Sequence, residues 1–159
     1  MKVRALILLT VALLSLPVQA AEPLAGTASV VDGDTIEIHG QRIRLYGIDA
    51  PESRQECTQP DGTTWRCGQQ AALALSDRIG RATVRCDPRD RDRYGRIIAI
   101  CFKGTENLNR WMVVNGWAMA YRKYSLDYAA DEERAKRARL GIWSGTFEIP
   151  WDWRPQKQQ

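Results

Sequence analysis

Residues 42–52 read RIRLYGIDAPE, and this stretch decides the fold because it holds a strand and its interruption. The run at 42–49 alternates polar and apolar side chains, as a half-buried strand does. Two earlier strand-like runs, at 26–31 and 35–39, are separated by Asp32-Gly33-Asp34. Asp-Gly between such runs is a strong hairpin signal, so the sequence predicts three consecutive strands near its beginning.

The remainder of the sequence predicts a helix, two strands and two further helices. The predicted boundaries are a helix from near Gln69 to Gly80, strands at 82–86 and 97–102, a short helix at 108–115, and a last helix from about Ser125, as its cap, to Leu140. The charged segment at 87–96, DPRDRDRYGR, is predicted to be a loop. Five strands with an inserted helix suit an α+β fold, a five-stranded OB-type Greek-key β-barrel with three helices.

Length and composition indicate one globular domain. The chain has 159 residues and a net charge of +4, which argues only mildly for a polyanionic partner. Its single histidine, His39, excludes chemistry that needs a histidine pair. We expect a signal peptide at 1–20, a domain at 21–146 and a tryptophan-rich tail at 147–159 that packs back onto the domain.

The first twenty residues have the pattern of a secretory signal peptide. Lys2 and Arg4 precede an apolar run at 5–16, and Val18-Gln19-Ala20 offers small residues for cleavage after Ala20. The apolar run is shorter than the roughly 20 residues that a spanning helix needs. We therefore expect an exported protein, periplasmic or secreted, with no membrane contact after cleavage.

Four cysteines fit an oxidising compartment, where an even count indicates disulfides. Three pairings are possible, and local spacing favours Cys57–Cys67 and Cys86–Cys101. The alternative, a zinc site of four thiolates, is disfavoured because the sequence has no C-x-x-C pair.

The candidate chemistry lies in residues 32–52, which carry four carboxylates: Asp32, Asp34, Asp49 and Glu52. If the second and third strands pair, their ends bring Asp34 and Asp49 to one rim, where the charges repel unless a cation neutralises them. The ligands are hard oxygens, which favours calcium or magnesium over zinc or copper. For Asp32 alone, turn chemistry is the simpler interpretation.

Two arginines accompany these carboxylates as candidate phosphate ligands. Arg44 lies within the third strand, and Arg96 begins the fifth after the Tyr94-Gly95 turn. Arg44 and Asp49 are five residues apart, so ideal alternation would place them on opposite faces of the strand. A bend is required to bring them together, and Gly47 is the expected place for it.

Four segments, VVDGDTIEI, RIRLYGIDAPE, DRYGR and LGIWS, resemble in order the signature segments of the staphylococcal (thermonuclease-type) nuclease family. The similarity covers roughly residues 27–144. It implies an OB barrel with three helices and a calcium-dependent enzyme. Such an enzyme hydrolyses DNA and RNA at the 5′-oxygen–phosphorus bond and leaves 3′-phosphates.

The resemblance also implies roles for individual residues. The implied metal ligands are Asp34, Asp49, the backbone carbonyl of Ala50 and, through water, Asp32. The implied catalytic residues are Glu52, which orients or deprotonates water, and the phosphate-binding Arg44 and Arg96. The implied nucleotide-contacting residues are Arg93, Tyr94 and Tyr121.

The expected substrates are DNA and RNA, with single strands preferred, and the expected assembly is a monomer. An alternative function is a catalytically silent OB module that binds nucleic acid or an exported polysaccharide. The complete set of carboxylates and arginines argues against that alternative.

Overall fold

The computed structural model describes residues 22–156, so the predicted signal peptide at 1–20 lies outside the described residues. The strands are β1 (Leu24–Asp32), β2 (Thr35–Ile38), β3 (Gln41–Leu45), β4 (Ile48–Asp49), β5 (Cys57–Thr58), β6 (Thr64–Trp65), β7 (Thr83–Arg91), β8 (Ile97–Lys103), β9 (Glu106–Asn107) and β10 (Met119–Ala120). The helices are α1 (Cys67–Ile79), α2 (Leu108–Val114), α3 (Ala129–Arg137) and α4 (Pro150–Gln156), with a 3₁₀ turn at Gly141–Ser144. Across 22–156, no helix is both long enough and apolar enough to cross a membrane.

Five of these strands form a closed barrel, which confirms the predicted OB-type fold. The hydrogen-bonded order is β3-β2-β1-β7-β8, and a parallel pairing of β3 with β8 closes the cylinder. In that pairing Arg44 lies opposite Ile98 and Leu45 opposite Ala99. Closure removes the exposed edges that an open sheet would present.

The barrel interior and one face of α1 form the main core. Ile36, Ile38 and Ile43 are fully buried inside the barrel, and Leu75 and Ile79 of α1 are buried in the same cluster. Helix α1 begins two residues earlier than predicted, at Cys67, and Cys67 and Gly68 are buried. The core therefore fixes α1 beside the end of the hairpin that carries Asp32 and Asp34.

The third predicted strand, 42–49, is divided into β3 and β4 by a turn at Tyr46-Gly47. Gly47 has a φ of +74°, in the left-handed region that favours glycine. Its carbonyl accepts a hydrogen bond from the Tyr121 amide, and the following strand β4 leaves the barrel to pair with β10. The interruption expected at Gly47 is therefore present.

The prediction of a loop over 87–96 was wrong for its first half, because β7 continues to Arg91. Pairing with β8 persists through a register shift between Pro88 and Asp90. The charged side chains here are mostly exposed. A solvated two-stranded ribbon needs no apolar alternation, which is why composition alone suggested a loop.

The predicted start of the last helix at Ser125 was also wrong. The Ser125 hydroxyl accepts a hydrogen bond from the Asp127 amide in a local turn, and α3 begins only after the buried Tyr128. At the other end, Arg139 adopts a φ of +53°, so the helix ends before Leu140. Within α3, Nζ of Lys136 lies 3.1 Å from Oε2 of Glu132, four residues earlier.

The tail beyond the 3₁₀ turn packs onto the domain, as predicted, and also forms the unpredicted helix α4. Phe147, Ile149 and Trp151 pack against a second buried cluster that contains the Cys57–Cys67 disulfide and Ile142. Backbone hydrogen bonds join Thr58 to Thr146 in both directions, at 2.8 and 2.9 Å.

The structure contains the two disulfides that local spacing favoured, Cys57–Cys67 and Cys86–Cys101. The first joins the loop after Glu52 to the first residue of α1. The second links directly opposed residues of β7 and β8 in the core. The described cysteines are all paired, which excludes the four-thiolate zinc site.

Each disulfide should stabilise the domain by about 3 kcal/mol, because each restricts the unfolded chain over a loop of similar length. We expect the double variants Cys57→Ala/Cys67→Ala and Cys86→Ala/Cys101→Ala to lose approximately that free energy of unfolding. Urea denaturation measures the loss, and the reduced wild-type protein is the reference for removal of both bridges. An unchanged urea midpoint in either variant would contradict the prediction for that bridge.

Candidate active site

The candidate site begins at the tight turn between β1 and β2. The Asp34 amide donates to Oδ1 of Asp32 at 3.1 Å, which holds the turn closed. The side chain of Asp34 is buried, and its Oδ1 accepts from the Thr35 hydroxyl at 3.0 Å. A Cβ at Gly33 would lie 2.7 Å from that of Ala50 and 3.0 Å from that of Ala71, so only glycine fits between them.

Strand β4 brings a second carboxylate to the same place. Asp49 is fully buried at the end of β4, where it pairs in register with Met119 of β10. The amide of the next residue, Ala50, donates to Oδ2 of Asp34 at 3.1 Å. The carboxylates of Asp34 and Asp49 therefore lie at one rim of the barrel, as strand pairing predicts.

Arg44 joins these two carboxylates. Its Nη2 lies 2.9 Å from Oδ2 of Asp34 and also donates a short hydrogen bond to Oδ1 of Asp49. The turn at Gly47 makes both contacts possible, because β4 folds back toward β3. Burial alone would lower the pKa of Arg44, but the charges of Asp34 and Asp49 raise it, so the guanidinium stays protonated.

The carboxylates carry more negative charge than Arg44 compensates. Burial, followed by the charge of Asp34, raises the pKa of Asp32 to about 7. Burial and Asp34 likewise raise the pKa of Asp49 to about 7, although Arg154 and Arg44 oppose that shift. A site that raises carboxylate pKa values in this way favours any cation that reaches it.

Glu52 lies in the loop after β4, and its backbone is held firmly. Its amide donates to Oε1 of the buried Gln55 at 3.2 Å, and its carbonyl accepts from the Gln55 amide at 2.7 Å. A Cβ at Gly68 would lie 1.7 Å from the Glu52 carbonyl oxygen, so this loop packs directly on the first turn of α1. Burial raises the pKa of Glu52, Arg154 opposes the rise, and Asp34 adds to it.

Arg96 is positioned by the turn between β7 and β8. Oδ1 of Asp92 accepts from the amides of Tyr94 and Arg96, and Oδ2 accepts from Nε of Arg96 at 2.6 Å. The charge of Arg96 lowers the pKa of Glu52, opposing the effect of burial. The ion-pair partner of Arg96 is Asp92 of the same turn.

The side chains predicted to contact a nucleotide fall into two groups. Tyr94 is 70% exposed, and Arg93 lies over its ring at 4.8 Å while donating to its hydroxyl at 2.7 Å. Tyr121 instead stacks on Trp151, with ring centroids 5.1 Å apart and planes inclined by 15°. Tyr124 meets the Tyr121 ring edge-on at 5.0 Å.

Sequence reasoning missed Arg154. Its Nη2 donates to Oδ2 of Asp49 at 2.5 Å, and its Nη1 lies 3.3 Å from Oε1 of Glu52. Asp49 and Arg154 are 105 residues apart, and the tail sequence indicates only aromatic packing. The single available signal was that a tail packed by Trp151 must bring its neighbouring residues close to the domain.

The donor chemistry of this rim suits a hard divalent cation. The oxygens of Asp34, Asp49 and the Ala50 carbonyl, with Asp32 beside them, match the preference of calcium or magnesium. Over residues 22–156, however, no three histidine, cysteine or acidic side chains are arranged as a metal cage. In this structure guanidinium groups bind both oxygens of Asp49. The acidic residues therefore fit a cation by their negative charge and donor type and not by an arranged coordination shell.

Comparison with known proteins identifies relatives over most of the domain. A family model described as staphylococcal nuclease homologue matches residues 42–145. The succinoglycan biosynthesis protein ExoI of Rhizobium meliloti (strain 1021) is 42% identical over 127 residues, which cover 78% of this chain. The match spans 66% of ExoI, slightly under two thirds of the length of that relative. Protein ParB of Escherichia coli is 34% identical over 154 residues, covering 84% of this chain and 80% of that protein. A micrococcal nuclease of Shigella flexneri is 34% identical over 143 residues, covering 79% and 76%.

The raised carboxylate pKa values predict an unusual pH dependence of stability in EDTA. Asp32 and Asp49 have a pKa of about 7 in the fold against an ordinary 3.8, so the folded protein binds more protons than the unfolded chain between those values. The free energy of unfolding should therefore fall as the pH rises from about 4 to about 7. Asp32→Asn keeps an acceptor for the Asp34 amide but cannot ionise. It should raise that free energy by roughly 1–4 kcal/mol at pH 8 and change it little at pH 4.

Urea denaturation at both pH values measures this effect. Asp77→Asn is the matched control, because it removes the same charge from an exposed position on α1. Equal destabilisation by Asp32→Asn at pH 4 and pH 8 would show that burial and repulsion do not raise the pKa of Asp32.

Proposed function

Since this chain belongs to the staphylococcal nuclease family, we propose that it is a calcium-dependent nuclease that hydrolyses DNA and RNA and leaves 3′-phosphates. Its homologues support the nuclease function. The observation that carries the finer proposal is the Arg44 guanidinium joined to the Asp34 and Asp49 carboxylates, with Glu52 linked to Asp49 through Arg154. A purely structural ion site would not need Arg44 or Arg96.

In this proposal the cation is held by Asp34, Asp49 and the Ala50 carbonyl, with Asp32 acting through water. Bound there, calcium would supply positive charge to a nonbridging phosphate oxygen. Glu52 orients the attacking water and accepts its proton. Water oxygen bonds to phosphorus as the bond from phosphorus to the 5′ oxygen breaks. The leaving 5′ oxygen takes a proton from solvent and Glu52 releases its proton to solvent, which yields a 3′-phosphate and a 5′-hydroxyl.

The raised pKa of Glu52 supports its role as a base. An ordinary glutamate is a weak base at neutral pH, whereas burial moves the pKa of Glu52 upward, toward the working pH. The loop contacts with Gln55 and Gly68 hold the residue in place, so its orientation does not depend on a flexible segment.

In this proposal the two arginines bind phosphate oxygens while keeping their present partners. Arg44 uses Nη2 for both carboxylates, which leaves Nε and Nη1 as donors for substrate. Arg96 uses Nε for Asp92, which leaves its two terminal nitrogens. Guanidinium groups held in this way stabilise the charge that develops on the pentacovalent phosphorus.

Three properties of the substrate and the protein complete the proposal. Exposed Tyr94 with Arg93, and Tyr121, offer rings for unpaired bases, which favours single-stranded substrate. The two disulfides fit an exported protein. We propose that it acts as a monomer.

The silent binding module remains the competing function. One relative is named for succinoglycan biosynthesis, which gives an exported polysaccharide as the competing ligand. Hydrolysis of nucleic acid by the purified protein separates the two functions, because a silent module would bind without releasing products.

Arg96→Ala should reduce turnover on single-stranded DNA by about 10²–10³-fold, as loss of a preorganised charge does. Its calcium affinity should change little, because its ion-pair partner is Asp92 and not the acidic rim. Arg44→Ala is a less clean test, because it also leaves Asp34 and Asp49 without their shared guanidinium. Steady-state kinetics and calorimetric calcium titration measure the two quantities. Arg89→Ala, an exposed arginine of β7, is the matched control. Near wild-type turnover of Arg96→Ala would refute the phosphate-binding role.

Calcium should support hydrolysis of denatured DNA, and EGTA should abolish it. Magnesium should support much slower turnover at equal occupancy, because it requires near-octahedral geometry and releases its waters reluctantly. Two carboxylates, a carbonyl and waters form an irregular shell that the larger ion accepts. Comparable turnover with both ions would refute the calcium preference, and turnover in EGTA would refute metal dependence.

A further inference from the structure

The C-terminal helix α4 places a positive charge directly on the acidic rim. Arg154 contacts Asp49 at 2.5 Å and Glu52 at 3.3 Å, so its guanidinium spans an implied metal ligand and the implied water-orienting residue. The Asp49 side chain is fully buried, and the Arg154 side chain is 29% exposed. Arg154 therefore reaches inward from the surface to a carboxylate that solvent does not contact.

This contact occupies what a cation would need. Arg44 binds Oδ1 of Asp49 and Arg154 binds Oδ2, so each oxygen of that carboxylate already faces a guanidinium. A divalent cation on Asp49 would lie close to the Arg154 charge and be repelled by it. The Arg154 contact and cation binding at Asp49 therefore oppose each other.

The same helix covers the aromatic side of the site. Trp151 and Arg154 are three residues apart, so they project from one face of α4. Trp151 stacks on Tyr121 with nearly parallel planes, in the arrangement that a nucleobase adopts on an aromatic side chain. One helix thus supplies a substitute for the cation and a substitute for the base.

The anchoring of the tail shows which part of it can move. Residues up to Glu148 are tied to the domain by the Thr58–Thr146 backbone hydrogen bonds and by the Glu148 carbonyl, which accepts from Nε2 of buried Gln55 at 2.5 Å. Beyond them α4 has seven residues, a length that is marginal for an isolated helix. Helix α4 is held by contacts that include Trp151 on the second buried cluster and Arg154 on the rim, so its release requires those contacts to be exchanged for others while the preceding segment stays docked.

We propose that α4 is a built-in inhibitor of the site, in which Arg154 takes the place of the cation and Trp151 that of a base. Calcium and single-stranded nucleic acid displace it together. This inference rests on the proposed function, because it names the regulation of that same site. The coupling is reciprocal: whatever weakens the α4 contact strengthens calcium binding.

The experiment measures calcium affinity by calorimetric titration of CaCl₂ into the mature protein and three variants. Arg154→Gln removes the charge at the rim and should bind calcium roughly tenfold more tightly than wild type. Trp151→Leu keeps the apolar contact but loses the ring stack, and should show a smaller increase in affinity. Arg137→Gln, an exposed arginine of α3, is the matched charge control and should leave the affinity unchanged. Thermal unfolding verifies that every variant is folded.

A second readout follows α4 directly. Asp152 and Trp153 donate their amides to the Ile149 carbonyl, so hydrogen exchange at these amides reports whether α4 is formed and docked. Saturating CaCl₂ should accelerate that exchange in wild-type protein, and adding a short single-stranded DNA should accelerate it further.

Several outcomes would overturn the inference. Unchanged or weaker calcium binding by Arg154→Gln would overturn it while leaving the nuclease proposal intact, and so would calcium-induced slowing of exchange in α4. A large loss of turnover by Arg154→Gln at saturating calcium would assign Arg154 to catalysis instead. Absence of calcium binding in every protein would refute the calcium dependence itself, and the inhibitor role with it.

Discussion

The site depends on one constraint, which is that buried carboxylates must be compensated by positive charge. Asp34 and Asp49 lie in the protein interior, where an unpaired charge is far more costly than in water. Arg44 supplies the compensation from β3 and makes the paired geometry specific, because one nitrogen contacts both carboxylates. Removing Arg44 would take from Asp34 the guanidinium it pairs with and would leave Asp49 to pair with Arg154 alone.

The barrel makes that compensation possible because it controls where each of the three residues emerges. The parallel pairing of β3 with β8 holds Arg44 opposite Ile98, and the hairpin between β1 and β2 brings Asp34 beside it. The Gly47 turn then directs β4 away from the barrel, so Asp49 returns toward Arg44. A continuous strand over 42–49 would have placed Arg44 and Asp49 on opposite faces.

Local chemistry in the sequence predicted most of this arrangement. The Asp-Gly-Asp turn, the interruption at Gly47 and the two disulfide spacings each depend on nearby residues, so they can be recognised without the fold. The extension of β7 through charged residues was missed because its stability comes from pairing with β8, which composition does not record. Arg154 was missed for a related reason: its partner Asp49 is distant in sequence and is brought close only when the tail packs.

Three kinds of positive charge can satisfy the rim, and their competition connects its electrostatics to its proposed function. Protons do so near neutral pH, since the pKa of both Asp32 and Asp49 is about 7. Arg154 does so in the structure, and its charge opposes the rise in the pKa of Asp49. A divalent cation compensates more charge than either, so it has an electrostatic advantage in displacing the guanidinium once its solvation cost is met. The single charge of Arg154 stabilises the ionised carboxylates less than the double charge of a calcium ion would. The contact of Arg154 with the rim can therefore be reversible.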